Sequence, residues 1–106
     1  MNNGVSLEIK FATNKLQKQF EQSALAIKAY GDEIGKAYIS RVNTLKHAKN
    51  FEDLYLIPQL KFHPLKGNRK GQFAVNLSGF WRLIISNDGT ITDIAKIEEV
   101  SKHYDD

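Results

Sequence analysis

The sequence predicts an α+β domain in which a helical hairpin packs on one face of an antiparallel β-sheet. Apolar residues recur at helical spacing in the first half of the 106-residue chain, whereas apolar and polar residues alternate between glycine-containing turns in the second half. An apolar content of 42% suits one compact domain over residues 1–106. The sheet face that the helices leave uncovered is then available for function.

The N-terminal part is expected to form a short strand and a first helix. Residues 7–11 alternate in polarity, which is typical of a half-buried strand, and Thr13 or Asn14 can cap the helix that follows. Gly31 is expected to end this helix. Its apolar stripe consists of Leu16, Phe20, Ala24 and Ile27. The same spacing places Gln19 on a polar face.

A second helix is expected after Gly31, with Asp32 as its cap. Its apolar residues recur at intervals of four, four and three, and they are Ile34, Tyr38, Val42 and Leu45. Two amphipathic helices joined by so short a turn predict an antiparallel hairpin. Residues 51–56 are expected to add a helical turn that Pro58 ends.

The second half of the chain is expected to form the sheet. Residues 72–77 alternate in polarity, residues 78–79 (Ser-Gly) can form a two-residue turn, and residues 80–85 form the next strand. Residues 87–89 (Asn-Asp-Gly) are a hairpin signal. In residues 91–100 isoleucine recurs every three residues. That spacing fits a helix or a bulged strand, and the preceding turn favours the strand.

Positive charge is concentrated in residues 61–87. This segment contains no acidic residue, although the chain has 15 basic and 12 acidic residues and a net charge of +3. The basic residues of the segment are Lys61, Lys66, Arg69, Lys70 and Arg82. A block of one sign that also contains a histidine and aromatic residues predicts a surface that binds a phosphate backbone.

Strand alternation makes a specific prediction for Arg82. If Trp81 and Leu83 pack on the helices, Arg82 points out of the uncovered face. An arginine presented by a rigid strand can bind an anion. Alternatively, Arg82 forms an ion pair with Asp93 or Glu99 on a neighbouring strand.

Composition excludes several classes of function. Cysteine is absent, so disulfides and thiolate chemistry are excluded. No apolar run approaches the roughly 20 residues that span a bilayer, and no signal peptide is recognisable, so we expect a small soluble cytoplasmic protein. His47, His63 and His103 lack ligand spacing, so neither a metal site nor a cofactor is predicted. Phosphate-loop and hydrolase-triad motifs are also absent.

Cleavage of RNA requires few protein groups because the substrate supplies its own nucleophile, the 2′-hydroxyl group. The enzyme must accept that proton, stabilise the charge on the phosphorane and protonate the leaving oxygen. The candidate residues are His63, Lys66, Arg69, Arg82, His103 and Tyr104. A structural interpretation stays open for each: a hydrogen-bonded histidine at a strand edge, a solvated basic loop, an ion-paired arginine and a frayed tail.

The run HPLKGNRKGQFAVNLSGFWRLII resembles the signature of HigB-type toxins within the wider RelE/ParE-like toxin family. The resemblance extends back through YGDEIGKAYISRVNTLKHAKNFEDL and forward to the C-terminal end. It implies an N-terminal strand, a helical hairpin and an antiparallel sheet with a concave catalytic face (the RelE-like fold). This order agrees with the one that periodicity predicts.

The resemblance also implies a function. Such toxins are endonucleases that cut mRNA on translating ribosomes without a cofactor. An antitoxin, usually a helix-turn-helix DNA-binding protein of the HigA type, restrains them, and contact with DNA is then only indirect. Two alternatives stay open: a non-catalytic protein that binds an antitoxin or nucleic acid, and a ParE-like toxin that targets gyrase.

Individual site residues follow from the resemblance. His63 matches the histidine before the LKG motif, Lys66 matches its lysine, and Arg82 matches the sheet arginine that stabilises transition-state charge. The motif arginine and its basic neighbours are assigned to RNA or ribosome binding, and they are Lys61, Arg69 and Lys70. The family often ends with Asp-Tyr-His, whereas this chain has Lys-His-Tyr, so His103 and Tyr104 are assigned jointly to proton transfer.

Overall fold

The computed structural model describes residues 6–102 and confirms the α+β fold. The helices are α1 (Asn14–Glu21), α2 (Ser23–Tyr30), α3 (Asp32–His47) and α4 (Phe51–Leu54), with short 3₁₀ turns at Pro58–Leu60 and Gly67–Arg69. The strands are β1 (Glu8–Phe11), β2 (His63–Pro64), β3 (Gln72–Ser78), β4 (Trp81–Asn87) and β5 (Ile94–Lys102).

The five strands form one sheet in the order β1-β5-β4-β3-β2. The pairs β3–β4 and β4–β5 are antiparallel, as predicted, and the short strand β2, which was not predicted, lies antiparallel to β3. The first strand differs, because β1 lies parallel to β5, with Glu8 opposite Ile94 and Phe11 opposite Ile97. The helices α1–α4 follow β1 and pack on one face of the sheet, and β1 forms an edge of the sheet beside β5.

The first predicted helix is divided in two at Gln22, which has an extended backbone (φ −128°, ψ 100°). Thr13 caps α1 as predicted, because its hydroxyl accepts a hydrogen bond from the Leu16 N–H (3.1 Å). The predicted stripe is partly wrong. Ala24 is exposed, whereas Gln19 is buried with only 3% of its surface exposed.

Gln19 can be buried because its amide oxygen accepts a hydrogen bond of 2.6 Å from the Tyr30 hydroxyl group. A buried amide oxygen without such a partner would carry a desolvation cost. The contact joins α1 to α2 and places Tyr30, rather than Ala24, against the core. Burial also raises the pKa of the Tyr30 hydroxyl group.

The second predicted helix is confirmed as α3. Gly31, with a φ of 90°, separates it from α2, and its N–H donates to the Ile27 carbonyl (2.8 Å). The predicted cap at Asp32 is not observed, because Asp32 lies in the first helical turn and pairs with Lys36 instead. The whole predicted stripe is buried, and the hydroxyl group of its central tyrosine, Tyr38, donates to the Leu16 carbonyl (2.7 Å).

Gly35 allows α3 to pack closely against α2. A Cβ atom at this position would lie 2.7 Å from the backbone nitrogen of Ile27 and 2.8 Å from the carbonyl carbon of Ala26. Both atoms belong to the backbone, so a rotamer change cannot relieve the contact. The helices of the hairpin would therefore have to separate to accommodate a larger residue.

The variant Gly35→Ala is expected to lower the free energy of unfolding by about 1–3 kcal/mol. Alanine is the better helix former by about 1 kcal/mol at an unconstrained site, so a loss of stability would isolate the packing effect. Urea denaturation measures the difference. Ser40→Ala, at an exposed position of the same helix, serves as the control and should retain the parent stability. Equal stability of the two variants would contradict the close-packing interpretation.

The sheet presents one apolar face to the helices. Val75, Leu83, Ile85 and Ile97 are fully buried there. The strand interpretation of residues 91–100 is confirmed over Ile94–Lys102, but Ile91 lies outside the strand and is 97% exposed. A shift in register follows Ile97, where Ile84 pairs with Glu99 but Ile85 pairs with Ile97. This bulge accounts for the three-residue step from Ile97 to Val100, whereas the spacing from Ile91 to Ile97 precedes it.

Two turns also differ from prediction. Ser78 pairs with Trp81, so the β3–β4 turn consists of Gly79 and Phe80 instead of Ser78 and Gly79. The β4–β5 connection is longer than a tight hairpin. The Asn87 side chain organises it by accepting hydrogen bonds from the N–H groups of Gly89 and Ile94.

Within residues 6–102, no helix is long and apolar enough to cross a membrane.

Candidate functional site

The side of the sheet away from the helices is called the open face here. Its side chains alternate with those of the core, and cross-strand partners share a face. One row runs from His63 on β2 through Ala74 and Ile84 to Glu99 on β5. A second row contains Asn76, Arg82 and Ser101, and a third contains Gln72, Ser86 and Lys96.

His63 is oriented by the backbone at one end of the open face. Its Nδ1 atom lies 2.8 Å from the Lys61 carbonyl oxygen. Because a carbonyl can only accept, Nδ1 carries the proton, and the neutral ring has its lone pair on Nε2. The backbone of Lys61 is left-handed (φ 47°) in the turn that directs this carbonyl toward the ring. The Lys61 carbonyl therefore selects the tautomer of the neutral His63 ring that carries its proton on Nδ1.

Arg82 lies on the open face, as alternation predicts. Its Nη1 atom donates to the Gly79 carbonyl (2.9 Å), the Trp81 carbonyl (3.1 Å) and the Asn76 side-chain oxygen (3.2 Å). These three acceptors belong to the β3–β4 hairpin, so the guanidinium group is oriented by a rigid element. A guanidinium group held in this way matches the geometry that recognises a phosphate group.

The two acids considered as partners of Arg82 have other partners. Asp93 accepts hydrogen bonds from the Phe51 N–H and the Asn87 amide, both at 2.8 Å. Glu99 pairs with Arg69, with 2.8 Å between Nη2 and the carboxylate. Asp93 therefore stabilises the β4–β5 connection, and Glu99 stabilises a loop.

Arg69 reaches across the open face from the 3₁₀ turn Gly67–Arg69. Its Nη1 atom donates to the Gln72 side chain on β3 (2.9 Å), while its Nη2 atom contacts Glu99 on β5. Because β4 lies between those strands, the guanidinium group spans β4 near Ile84. Ile84 is accordingly only 1% exposed although it points away from the helices. The pair connects the basic loop to the far side of the sheet.

The open face is therefore less basic than the segment 61–87 indicates. β5 lies beside β4 and brings Glu98 and Glu99 to it, and the Glu98 carboxylate accepts a 2.6 Å hydrogen bond from Ser86. Sequence reasoning did not assign a site role to Glu99. Strict alternation from the buried Ile97 would turn it toward the core, and the bulge reverses it. The three-residue step from Ile97 to Val100 is the sequence signal that could have identified this reversal.

Three predicted basic residues lie at the rim of the face. Lys61, Lys66 and Lys70 are exposed, and none of them forms an ion pair with another residue of the range 6–102. Lys66 precedes the 3₁₀ turn and Lys70 follows it, where the Lys70 N–H donates to the Gly67 carbonyl (3.1 Å). The loop thus presents its lysine charges to solvent beside the open face.

The aromatic residues of the β3–β4 hairpin have different environments. Trp81 is half-buried and packs against the core, with its ring 6.4 Å from that of Tyr30. The interpretation of Trp81 as a core residue fits this position. Phe80, in the turn beside Arg82, is 51% exposed and was not singled out from the sequence. An aromatic ring at such a position can stack on a base.

The structure brings His63, Arg69 and Arg82 onto one face, and places Lys61, Lys66 and Lys70 at its rim. His103 and Tyr104 lie outside the described residues. In the described part of the chain, no group of three or more His, Cys, Asp or Glu residues could hold a metal ion.

Comparison with solved structures shows that the fold is similar to that of several toxins. A chain of the Escherichia coli DinJ–YafQ toxin–antitoxin complex has a TM-score of 0.61 and 22% identity, with 93% of this chain and 94% of that chain covered. The YoeB/ParE toxin from Agrobacterium tumefaciens has a TM-score of 0.56 and 15% identity, with 92% and 100% covered. The Staphylococcus aureus YoeB–YefM complex gives 0.52 and 19%, with 92% and 98% covered.

No protein-family model and no curated protein matches the sequence at a significant level. The likeness in structure extends over nearly the whole chain and includes both layers of the fold. The chain therefore shares the fold of the YafQ and YoeB toxins.

Proposed function

We propose that this protein is the toxin of a type II toxin–antitoxin pair and that it cleaves mRNA on the ribosome. The observation that carries the proposal is the open face, where Arg82 is oriented by three oxygen acceptors and His63 by the Lys61 carbonyl. A fold shared with solved toxins supports the same function. A histidine can transfer the proton and an arginine can stabilise the charge when RNA is cleaved through its own 2′-hydroxyl group.

In the proposed reaction the 2′-oxygen forms a bond to phosphorus while His63 Nε2 accepts its proton. Negative charge then develops on the equatorial oxygens of the phosphorane, where Arg82 and Lys66 stabilise it. The bond from phosphorus to the 5′-oxygen breaks, and His103 or Tyr104 protonates the leaving oxygen. The products are a 2′,3′-cyclic phosphate and a 5′-hydroxyl end. No metal takes part in these steps.

The rim residues have a binding role in this proposal. Lys61 and Lys70 are exposed point charges, which suit contact with the backbones of mRNA and ribosomal RNA. Arg69 contributes by holding the loop against Glu99 and Gln72, so that Lys66 is presented toward the reacting phosphate. Binding to ribosomes should consequently weaken as the salt concentration rises.

Within the superfamily we assign the chain to the HigB branch on the motif run that begins at His63 and ends at Ile85. The partner that this assignment predicts is a helix-turn-helix antitoxin of the HigA type. Solved relatives are recorded in complexes with the antitoxins DinJ and YefM, which supports an antitoxin partner. Contact with DNA would then occur through the antitoxin alone.

Mapping RNA ends after induction of the protein tests the proposed function. We expect new ends within translated regions, and we expect them to disappear when translation initiation is blocked, because cleavage requires the ribosome. Persistence of the ends after that block would contradict ribosome dependence. Growth arrest with intact transcripts would favour a non-catalytic binding protein, and DNA damage without RNA cleavage would favour a gyrase-targeting toxin.

A further inference from the structure

A groove of about 600 Å³ lies between α1 and α2, in the helical layer and away from the open face. The residues that line it from α1 are Asn14, Lys15, Lys18 and Gln19, and those from α2 are Leu25, Lys28 and Ala29. The two sets are spaced by three and four residues, so each forms one stripe on its helix. The groove therefore combines an apolar floor with a basic rim.

The break at Gln22 creates this groove. The Gln22 N–H closes α1 on the Lys18 carbonyl (2.9 Å), and the Gln22 carbonyl accepts from the Leu25 N–H (2.9 Å) to open α2. A continuous helix would present one convex surface here. The extended residue instead lets two helices of eight residues each line a concave surface.

Leu25 lines the groove, and its apolar side chain is open to solvent. It is 37% exposed, and Ala29 one turn further on is exposed as well. Most of the lining surface is apolar, because the aliphatic stems of the three lysines add to the surface of Leu25 and Ala29. Such a surface can pack against an apolar side chain while its ammonium groups contact an anion.

The charge of the rim is uncompensated within the described chain. Lys15, Lys18 and Lys28 form no ion pair with any residue between positions 6 and 102, and no acidic residue lines the groove. Lys61, Lys66 and Lys70 at the rim of the open face likewise form no ion pair within residues 6–102, whereas Lys10 pairs with Asp88 and Arg69 pairs with Glu99. The groove is therefore complementary to a negatively charged ligand.

We propose that this groove binds an acidic amphipathic helix of a protein partner. A leucine or isoleucine of that helix would pack on Leu25 and Ala29, and its carboxylates would pair with the three lysines at the rim. RNA fits the groove less well. No aromatic side chain is present among the lining residues on which a base could stack, and most of the lining is apolar.

The location of the groove has a consequence for how such a partner acts. The helices pack on one face of the sheet, and His63 and Arg82 lie on the other. A helix in the groove would therefore leave the open face uncovered and could be bound at the same time as RNA. This inference does not depend on the proposed nuclease activity, because it concerns a separate surface.

A designed peptide provides the test. The probe is a helical peptide of about 18 residues with leucines at positions i, i+3 and i+7 and glutamates on both sides of that stripe. A scrambled peptide of the same composition is the control. With the Arg82→Ala protein, whose substitution lies on the open face and leaves the groove unchanged, we expect micromolar binding of the amphipathic peptide by calorimetry. NMR shift changes should be concentrated at Lys18, Leu25 and Lys28.

Two variants make the test specific. The double variant Lys18→Glu/Lys28→Glu should weaken binding at least about tenfold, because each substitution converts an attraction into a repulsion. The control Lys61→Glu/Lys70→Glu removes the same charge from the RNA-binding rim and should leave the peptide affinity unchanged. A second variant, Leu25→Asp, should also weaken binding, while its circular dichroism stays that of the parent because the side chain is partly exposed.

Several results would overturn the proposal. One is the absence of amphipathic-peptide binding at about 1 mM, and another is equal binding of the scrambled peptide. Shift changes confined to the open face, or displacement of the peptide by a short single-stranded RNA, would show that RNA competes for the same surface. None of these results would affect the proposed nuclease function, which RNA end mapping tests independently.

Discussion

Replacing Arg82 by alanine is expected to lower the rate of RNA cleavage by roughly 10²–10³, which corresponds to about 2.7–4 kcal/mol of transition-state stabilisation. The guanidinium group is held by the Gly79 and Trp81 carbonyls and by the Asn76 side chain, so it is oriented before substrate binds. Its loss removes positive charge where the phosphorane becomes more negative. Single-turnover cleavage on programmed ribosomes measures the effect.

Two matched variants separate catalysis from structure. Asn76→Ala removes one acceptor of Arg82 but retains the guanidinium group, so it should reduce the rate far less than Arg82→Ala. Lys70→Ala removes a positive charge from the rim and should act mainly on binding. Circular dichroism and thermal unfolding should show that all three variants are folded. An Arg82→Ala protein that is folded and fully active would exclude Arg82 as the group that stabilises the charge.

A single 2′-deoxynucleotide on the 5′ side of the scissile phosphate is expected to abolish cleavage. The proposed reaction uses the 2′-oxygen of that nucleotide as its nucleophile, so no protein group can replace it. The same substitution one nucleotide further away should leave the rate nearly unchanged. Cleavage of the unmodified RNA should yield a 2′,3′-cyclic phosphate, which mass spectrometry detects.

The deoxy substitution tests the reaction without altering the protein. Continued cleavage of the modified substrate, with a linear 3′-phosphate or a 3′-hydroxyl product, would mean that water is the nucleophile. In that case Arg82 would stabilise a phosphorane formed by water, and the proposed attack by the 2′-oxygen would be excluded.

Periodicity in the sequence was sufficient for most of the fold. The stripe of α3 and the alternation of β3 are regular because each element has one buried side, and burial of that side dominates its stability. Periodicity failed at Gln19. Burial of this residue depends on the hydroxyl group of Tyr30, which lies in the next helix, and a local pattern contains no information about such a partner.

In the candidate site, too, sequence periodicity predicted some side-chain positions and missed others. The direction of Arg82 followed from its apolar neighbours in β4, which are buried as expected. The position of Glu99 did not follow, because a bulge reverses the side chains after Ile97. The pairing of Arg69 with Glu99 also depends on strand order, since β5 lies next to β4 and brings an acidic residue to a basic segment. Segregation of charge in a sequence therefore does not guarantee segregation on a surface.

The parallel pairing of β1 with β5 has a consequence for biosynthesis. The two partners come from opposite ends of the described chain, and β5 is also the strand that joins β1 to the rest of the sheet. During translation β1 consequently has no sheet neighbour until β5 has emerged from the ribosome. Such distant contacts form late in folding. The sheet can thus be completed only after Ile94–Lys102 has emerged from the ribosome.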